Sequence, residues 1–285
     1  MKLLDGKETA QKLINEVKIR LTNLPKLPHL AILIVGDDYA SQMYVSMKQR
    51  KAQKLGINCT VFRFNKEVQE QVIIEKIDKL NNDISTTGVM IQLPLPRHID
   101  TINVVNRISY KKDVDGLGAY NLGRIFQNDP YIIPATALGV IRLFERYKID
   151  LLSKNVVIVG TSPYIGKPLA GLLLNKKSTV TLCNRKTKNL SLVTSKADIL
   201  ISATGNPKMI KSNWVKEGAV VVDVGIAKDP LTGNLCGDVD FEDVKDKVGY
   251  ITPVPGGVGP MTIASLLEKK YLIIRKILAI LKLQY

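Results

Sequence analysis

From Asn155 onward the chain repeats one unit: short apolar runs at 156–159, 178–183 and 198–203, separated by helix-length stretches, the first of which begins after Gly166. Runs this short, apolar rather than alternating, read as strands covered on both faces. Strands that alternate with helices assemble into a parallel sheet, and a βαβαβ series of this kind is half of a doubly wound, Rossmann-type fold. A further strand is expected at 220–224 and a helix at 136–147.

The first half shows the same alternation. A helical pattern over 5–24 stops before Pro25, and a strand over 30–35 ends at Gly36. Ser41 is placed to cap a helix that runs through Leu55 and stops at Gly56. A strand at 58–64, a helix near 67–80 and a strand at 88–93 closed by Pro94 and Pro96 follow. The last helix starts at Thr262 and is long enough to return to the first half. At 285 residues and 31.6 kDa, two α/β domains are expected. The first covers 1–135 and is completed by the C-terminal helix 262–285; the second, Rossmann-type, covers 136–261.

Composition removes several functions. A net charge of +15 invites a nucleic-acid reading, but the basic residues run from Lys2 to Lys282, interleaved with acidic ones, and form no stripe with aromatics. They read as a solvated surface, so no nucleic-acid partner is expected. Cys59, Cys183 and Cys236 are few and far apart, and His29 and His98 belong to no ligand motif, so neither disulfides nor a metal is expected. The first ten residues lack the apolar stretch of a secretory signal, and Arg275, Lys276 and Lys282 break the apolar end of the chain too soon for a membrane span. A cytoplasmic enzyme without a membrane partner is the expectation.

After the strand at 156–159 comes Gly160-Thr-Ser-Pro-Tyr-Ile-Gly166-Lys-Pro168, a glycine-bounded turn opening a helix. Backbone amides at a helix start carry free N–H groups and a positive dipole end, which suit a phosphate. The motif is not G-x-G-x-x-G; its position in a βαβαβ series makes it a dinucleotide turn. The second strand ends in Asn184, Arg185 and Lys186 where NAD-selective folds place an acid for the ribose hydroxyl. A cation there favours the 2′-phosphate of NADP, with NAD the less favoured cofactor.

Tyr44 and Lys48 stand four residues apart on one helix and project on the same face. They belong to S-x-x-Y-V-x-x-K at 41–48, which is followed by Q-L-P-L-P at 92–96, K-D-V-D-G at 112–116, G-D-V-D-F at 237–241 and P-V-P-G-G-V-G-P-M-T at 253–262. In this order, over nearly the whole chain, the motifs closely resemble the bifunctional methylenetetrahydrofolate dehydrogenase/methenyltetrahydrofolate cyclohydrolase (FolD) family. The resemblance implies oxidation of a tetrahydrofolate-bound one-carbon unit and hydrolysis of the product, with a folate in a cleft between the domains. It implies Lys48 as the catalytic amine, Tyr44 stacked on the folate, Gln92 orienting Lys48, and Asp115 holding the pterin. Leu93, Pro94, Pro255, Gly256 and Gly257 would complete the substrate site. Gly160, Thr161, Ser162, Ile165, Gly166, Arg185 and Ile226 would line the dinucleotide site, and the protein would be a homodimer.

The chain departs from the family at three points. Pro134-Ala-Thr-Ala-Leu-Gly139 lacks the second proline of P-C-T-P-x-G, Thr161 stands where the family commonly has arginine, and Arg185 stands where it commonly has serine. Two other readings compete. One is an NAD(P) dehydrogenase for a cyclic hydroxy acid, against which Q-L-P-L-P and P-G-G-V-G-P-M-T argue. The other is a folate-binding protein without turnover, against which Tyr44, Lys48, Gln92 and Asp115 argue.

Overall fold

The computed structural model describes residues 1–22, 29–54 and 56–268. In chain order the elements are β1 (Lys2–Leu3), α1 (Gly6–Thr22), β2 (His29–Val35), α2 (Tyr39–Lys54), β3 (Asn58–Phe64), α3 (Glu70–Asn82), β4 (Gly88–Ile91), α4 (Thr101–Arg107), α5 (Ala119–Phe126) and α6 (Ala135–Tyr147). There follow β5 (Asn155–Val159), α7 (Gly166–Asn175), β6 (Thr179–Cys183), α8 (Leu190–Thr194), β7 (Ile199–Ser202), β8 (Val220–Asp223), β9 (Ala227–Lys228), β10 (Leu235–Cys236), α9 (Phe241–Val244) and β11 (Tyr250–Ile251). A last helix occupies 258–268, four residues ahead of the expected start at Thr262; the remainder of the expected helix lies outside the described residues.

The chain divides into two compact units, one of Met1–Lys12 with Arg124–Ser265, the other of Leu13–Gly123 with the described residues from Leu266. This differs from the boundaries read from sequence, and the pairing explains why. Lys2 and Leu3 align in parallel with Tyr250 and Ile251, so the N-terminus completes the larger sheet. Asn175 Nδ2 donates to the Ile125 carbonyl, and Gly171 lies against Ile125 and Phe126, so the end of α5 belongs with α7.

In the smaller unit a parallel sheet of order β3-β2-β4 places β2 in the middle. Residues 30–35 are buried along their whole length, as a central strand covered on both faces requires. Ile73, Ile77 and Leu80, at helical spacing on α3, close one face together with Val104 and Val105 of α4. Ser41 does not cap α2: the helix starts at Tyr39, and Asp38 Oδ2 accepts from the Ser41 N–H at 2.8 Å. That hydrogen bond holds the Asp38 carboxyl below its ordinary pKa. The acid one position before the helix is the better cap because its side chain reaches back to the third helical amide.

The larger unit holds a six-stranded sheet of order β1-β11-β8-β7-β5-β6 with every neighbouring pair parallel. The order turns back on itself at β5, since β6 lies on one side and β7 on the other. Ligands of doubly wound sheets bind at such a reversal, beyond the carboxyl ends of the strands. α6 forms without the second proline, with Ala137 fully buried inside it and Lys148 closing it in the left-handed conformation at φ 53°. Among the described residues no helix is long and apolar enough to cross a membrane.

Candidate active site

The side chains singled out from the sequence fall into two groups, one in each unit. In the smaller unit, Gln92 directly follows β4, and its backbone N–H donates to the Leu33 carbonyl at 2.8 Å, extending the β4–β2 ladder by one residue. The sheet thus sets where Gln92 stands. Its Nε2 donates to the Leu93 carbonyl at 2.7 Å, which leaves Oε1 facing the other way to accept from Lys48 Nζ at 3.0 Å. Tyr44 lies one turn before Lys48 on α2, and both side chains are half-buried. The Leu93–Pro94 peptide is cis; Leu93 packs against the core while Pro94 is exposed.

Asp115 sits on a turn secured by its neighbours. Lys112 Nζ donates to the carbonyls of Leu80, Asn81 and Asp83 at 2.8–2.9 Å, satisfying the open carbonyl end of α3. Burial pushes the Lys112 ammonium below its ordinary pKa. Asp113, 1% exposed, accepts from the N–H groups of Gly116 and Gly118 and from Asn121 Nδ2, each at 2.9 Å. Val89 N–H donates to the Lys112 carbonyl and the Val89 carbonyl accepts from Val114 N–H, tying this segment to β4. Asp115 itself is half-buried. Sequence reasoning singled out Asp115 and passed over Lys112 and Asp113; the signal lay in the same five-residue motif.

In the larger unit, Gly160 follows β5 at φ 126°, and a Cβ there would stand 2.4 Å from the Ala203 carbonyl oxygen. A Cβ at Gly166, the first residue of α7, would stand 1.9 Å from the Gly160 carbonyl oxygen. Only glycines let the loop fold back so tightly between strand and helix. Within it the Ser162 carbonyl accepts from Lys167 N–H at 3.1 Å and Ser162 Oγ from Tyr164 N–H at 3.2 Å.

At the carboxyl ends of β5, β6 and β7 lies a cavity of about 590 Å³, lined by Gly160, Thr161, Arg185, Lys186, Thr204 and Asn206 among others. Among the described residues no carboxylate lines it. Arg185 and Lys186 are presented by a closed turn. Asn184 Oδ1 accepts from Lys186 N–H, Thr187 Oγ1 accepts from Asn184 N–H, and the Asn184 carbonyl accepts from Thr187 N–H, at 2.8–2.9 Å. Gly160, Thr161 and Arg185 therefore meet at one cavity, whereas Ser162, Ile165, Gly166 and Ile226 lie outside its lining. Lys186 stands beside Arg185 there, and Thr204 and Asn206 join them unforeseen, because a loop after β7 that is distant in sequence brings both.

The Pro255-Gly256-Gly257 turn also belongs to the larger unit. Val254–Pro255 is cis, Gly256 has φ 117°, and a Cβ at Gly257 would stand 2.6 Å from the Pro253 carbonyl oxygen. Gly6 packs onto the same turn, its Cβ position only 1.7 Å from the Gly257 carbonyl oxygen.

Known proteins share this organisation. Residues 4–115 match the catalytic-domain model of tetrahydrofolate dehydrogenase/cyclohydrolase, and residues 134–277 match its NAD(P)-binding-domain model. The bifunctional protein FolD of Vesicomyosocius okutanii is 47% identical over 269 residues, covering 94% of this chain and 96% of that protein. The crystal structure of the Campylobacter jejuni bifunctional enzyme FolD, a methylenetetrahydrofolate dehydrogenase/cyclohydrolase, superposes with a TM-score of 0.94 at 43% identity, covering 97% of this chain and 99% of that one. The Trypanosoma brucei methylenetetrahydrofolate dehydrogenase-cyclohydrolase, complexed with NADP cofactor and inhibitor, reaches 0.91 at 31% identity over 96% of this chain and 97% of its own. With both family models matched and identity this high over almost the full length, the chain belongs to the tetrahydrofolate dehydrogenase/cyclohydrolase family.

Proposed function

We propose that this protein oxidises 5,10-methylenetetrahydrofolate to 5,10-methenyltetrahydrofolate with NADP and hydrolyses the product to 10-formyltetrahydrofolate. The observation that carries the reading is the hydrogen bond from Lys48 Nζ to a glutamine oxygen whose direction is itself set by the Leu93 carbonyl. An amine aimed in this way is a group that moves protons at a chosen place.

The larger unit fits a dinucleotide. The close approach at Gly160 and Gly166 opens backbone to a pyrophosphate at the start of α7, and Arg185 and Lys186 offer charge for a 2′-phosphate. NADP held there would supply the acceptor for the hydride of the methylene carbon. The protein's share in that step is placement, because the two nitrogens flanking the carbon already stabilise the cation. Tyr44 stacks on the folate ring system and Asp115, on its braced turn, accepts from the polar edge of the pterin, with Leu93, Pro94, Pro255, Gly256 and Gly257 completing the substrate site.

Hydrolysis asks more of the side chains. Water adds to the methenyl carbon and loses a proton, one C–N bond opens, and the departing nitrogen gains a proton; Lys48 is the group that mediates these transfers. Gln92 keeps the amine from swinging away. Thr161, Ser162, Ile165 and Ile226 belong to the dinucleotide site, and the protein works as a homodimer in the cytoplasm. The test is Lys48→Met, assayed separately for methenyltetrahydrofolate hydrolysis and for NADP reduction with methylenetetrahydrofolate. Hydrolysis should fall by at least about 10²-fold, the size of a general acid-base contribution; an unchanged hydrolysis rate refutes the role of Lys48.

A further inference from the structure

Two carboxylates that this chemistry does not use are buried in the larger unit. Asp223 closes β8 and is 3% exposed; Asp238 follows β10 and is 0% exposed. Among the described residues neither forms an ion pair, and each instead gathers backbone and hydroxyl donors. Asp223 Oδ1 accepts from the N–H groups of Gly225 and Asp238 at 3.0 Å, and Oδ2 from Val239 N–H at 2.8 Å. Asp238 Oδ2 accepts from Ser202 Oγ at 2.8 Å and Thr204 N–H at 2.7 Å, while its Oδ1 is buried with no donor. Glycines admit both groups: a Cβ at Gly225 would stand 2.1 Å from Asp238 Oδ1, and one at Gly237 would stand 2.0 Å from Asp223 Oδ2.

Of the segments these acids hold, the loop after β7 lines the candidate dinucleotide cavity, and the turn at Gly225 leads to Ile226, which the proposed function assigns to the same site. Ser202 ends β7, Thr204 lines the cavity beyond it, and Gly225 leads directly into Ile226. We infer that Asp238 is a positioning residue for the dinucleotide, fixing the loop after β7 through Ser202 and Thr204 and, through its own N–H to Asp223, the turn before Ile226. The inference rests on the assignment of this crevice to NADP. A buried carboxylate with an empty acceptor site is costly, and a fold keeping one for packing alone would gain from an apolar residue. Its hydrogen bonds instead converge on the loop that lines the cavity and, through Asp223, on the turn before Ile226.

The test uses three variants of the full-length enzyme. Asp238→Ala removes the acceptor and should raise the KM for NADP about tenfold or more, the effect of losing hydrogen bonds to a charged group. Asp238→Asn keeps one oxygen able to take both donors and should recover most of that loss. Ser202→Ala deletes a single donor, leaves the fold intact even if Asp238→Ala does not fold, and should raise the KM about two- to fourfold, within the range of one neutral hydrogen bond. In Ser202→Ala and Asp238→Asn, methenyltetrahydrofolate hydrolysis should stay within about twofold of wild type. An unchanged NADP KM in Ser202→Ala and Asp238→Ala overturns the inference, as does a parallel fall of both activities. A wild-type enzyme that binds no NADP removes the crevice assignment, and the inference with it, whatever the variants do.

Discussion

Asp223 makes the stability of the folded chain fall with rising pH over a defined window. Burial pushes its carboxyl up to about 7, and the nearby Asp238 charge adds to the rise, against the pull of backbone N–H groups from Val239, Asp238 and Gly225. In the unfolded chain the same group titrates at its ordinary value of 3.8. Between those values the folded state keeps a proton that the unfolded state has released, so stability declines with pH through the window and levels off above about 7. A shift of roughly three units corresponds to about 4 kcal/mol over the whole window.

Replacing Asp223 by asparagine removes the titration. The variant is less stable at pH 5, because its amide turns an N–H toward a backbone donor, a conflict costing about 1–3 kcal/mol. From pH 5 to pH 7 the wild type should lose about 2.5 kcal/mol relative to the variant, so the gap between them closes or reverses. Urea unfolding of both proteins at pH 5, 6, 7 and 8 at fixed ionic strength reads this directly. Other titrating groups, such as Asp198 held low mainly by its hydrogen bond from Lys216 and Asp83 held to about 2 by Thr86 and Ser85, pull the opposite way as pH falls but cancel in the difference. Two stability curves that run parallel across pH 5–7 would show that Asp223 keeps no extra proton in the folded state.

Two further outcomes follow from the site geometry. Asp113→Ala strands the N–H groups of Gly116 and Gly118 and the Asn121 amide, and should cost about 2–4 kcal/mol in urea unfolding while raising the folate KM more than it lowers kcat; equal stability and folate KM would remove the bracing role. Arg185→Ala should raise the KM for NADP about tenfold and leave that for NAD nearly unchanged, since only the former loses a charge-assisted contact to a 2′-phosphate; equal effects on both cofactors would show that Arg185 reads no phosphate.

What the chain reveals before folding depends on whether a feature is local. The apolar runs of β2 and β5 and the helix-spaced Ile73, Ile77 and Leu80 announce themselves, because burial on a sheet or a helix face leaves a periodic mark. β1 and β11 leave none: each is two residues long and exists because Lys2–Leu3 meets Tyr250–Ile251 across nearly the full chain. The N-terminal segment's place in the larger unit is illegible in the sequence for that reason. The same division runs through the sites. Tyr44 and Lys48 are legible as an i, i+4 pair, but the direction of Gln92 comes from the Leu93 carbonyl and the β4–β2 ladder, neither of which spacing encodes. K-D-V-D-G and G-D-V-D-F look alike on paper, each with two acids one residue apart. In the first, the leading acid is buried as a brace and the second is half-buried at the turn; in the second, the leading acid is the fully buried Asp238, while Asp240 is half-buried, pairing with Lys211 and preceding α9. Both motifs turn their first acid onto buried hydrogen-bond donors and hold out their second, a distinction made by burial alone. An acid flanked by Gly237 and Val239 therefore reads as a surface charge until the fold supplies Ser202 and Thr204, thirty-odd residues upstream, as the donors that give it a purpose.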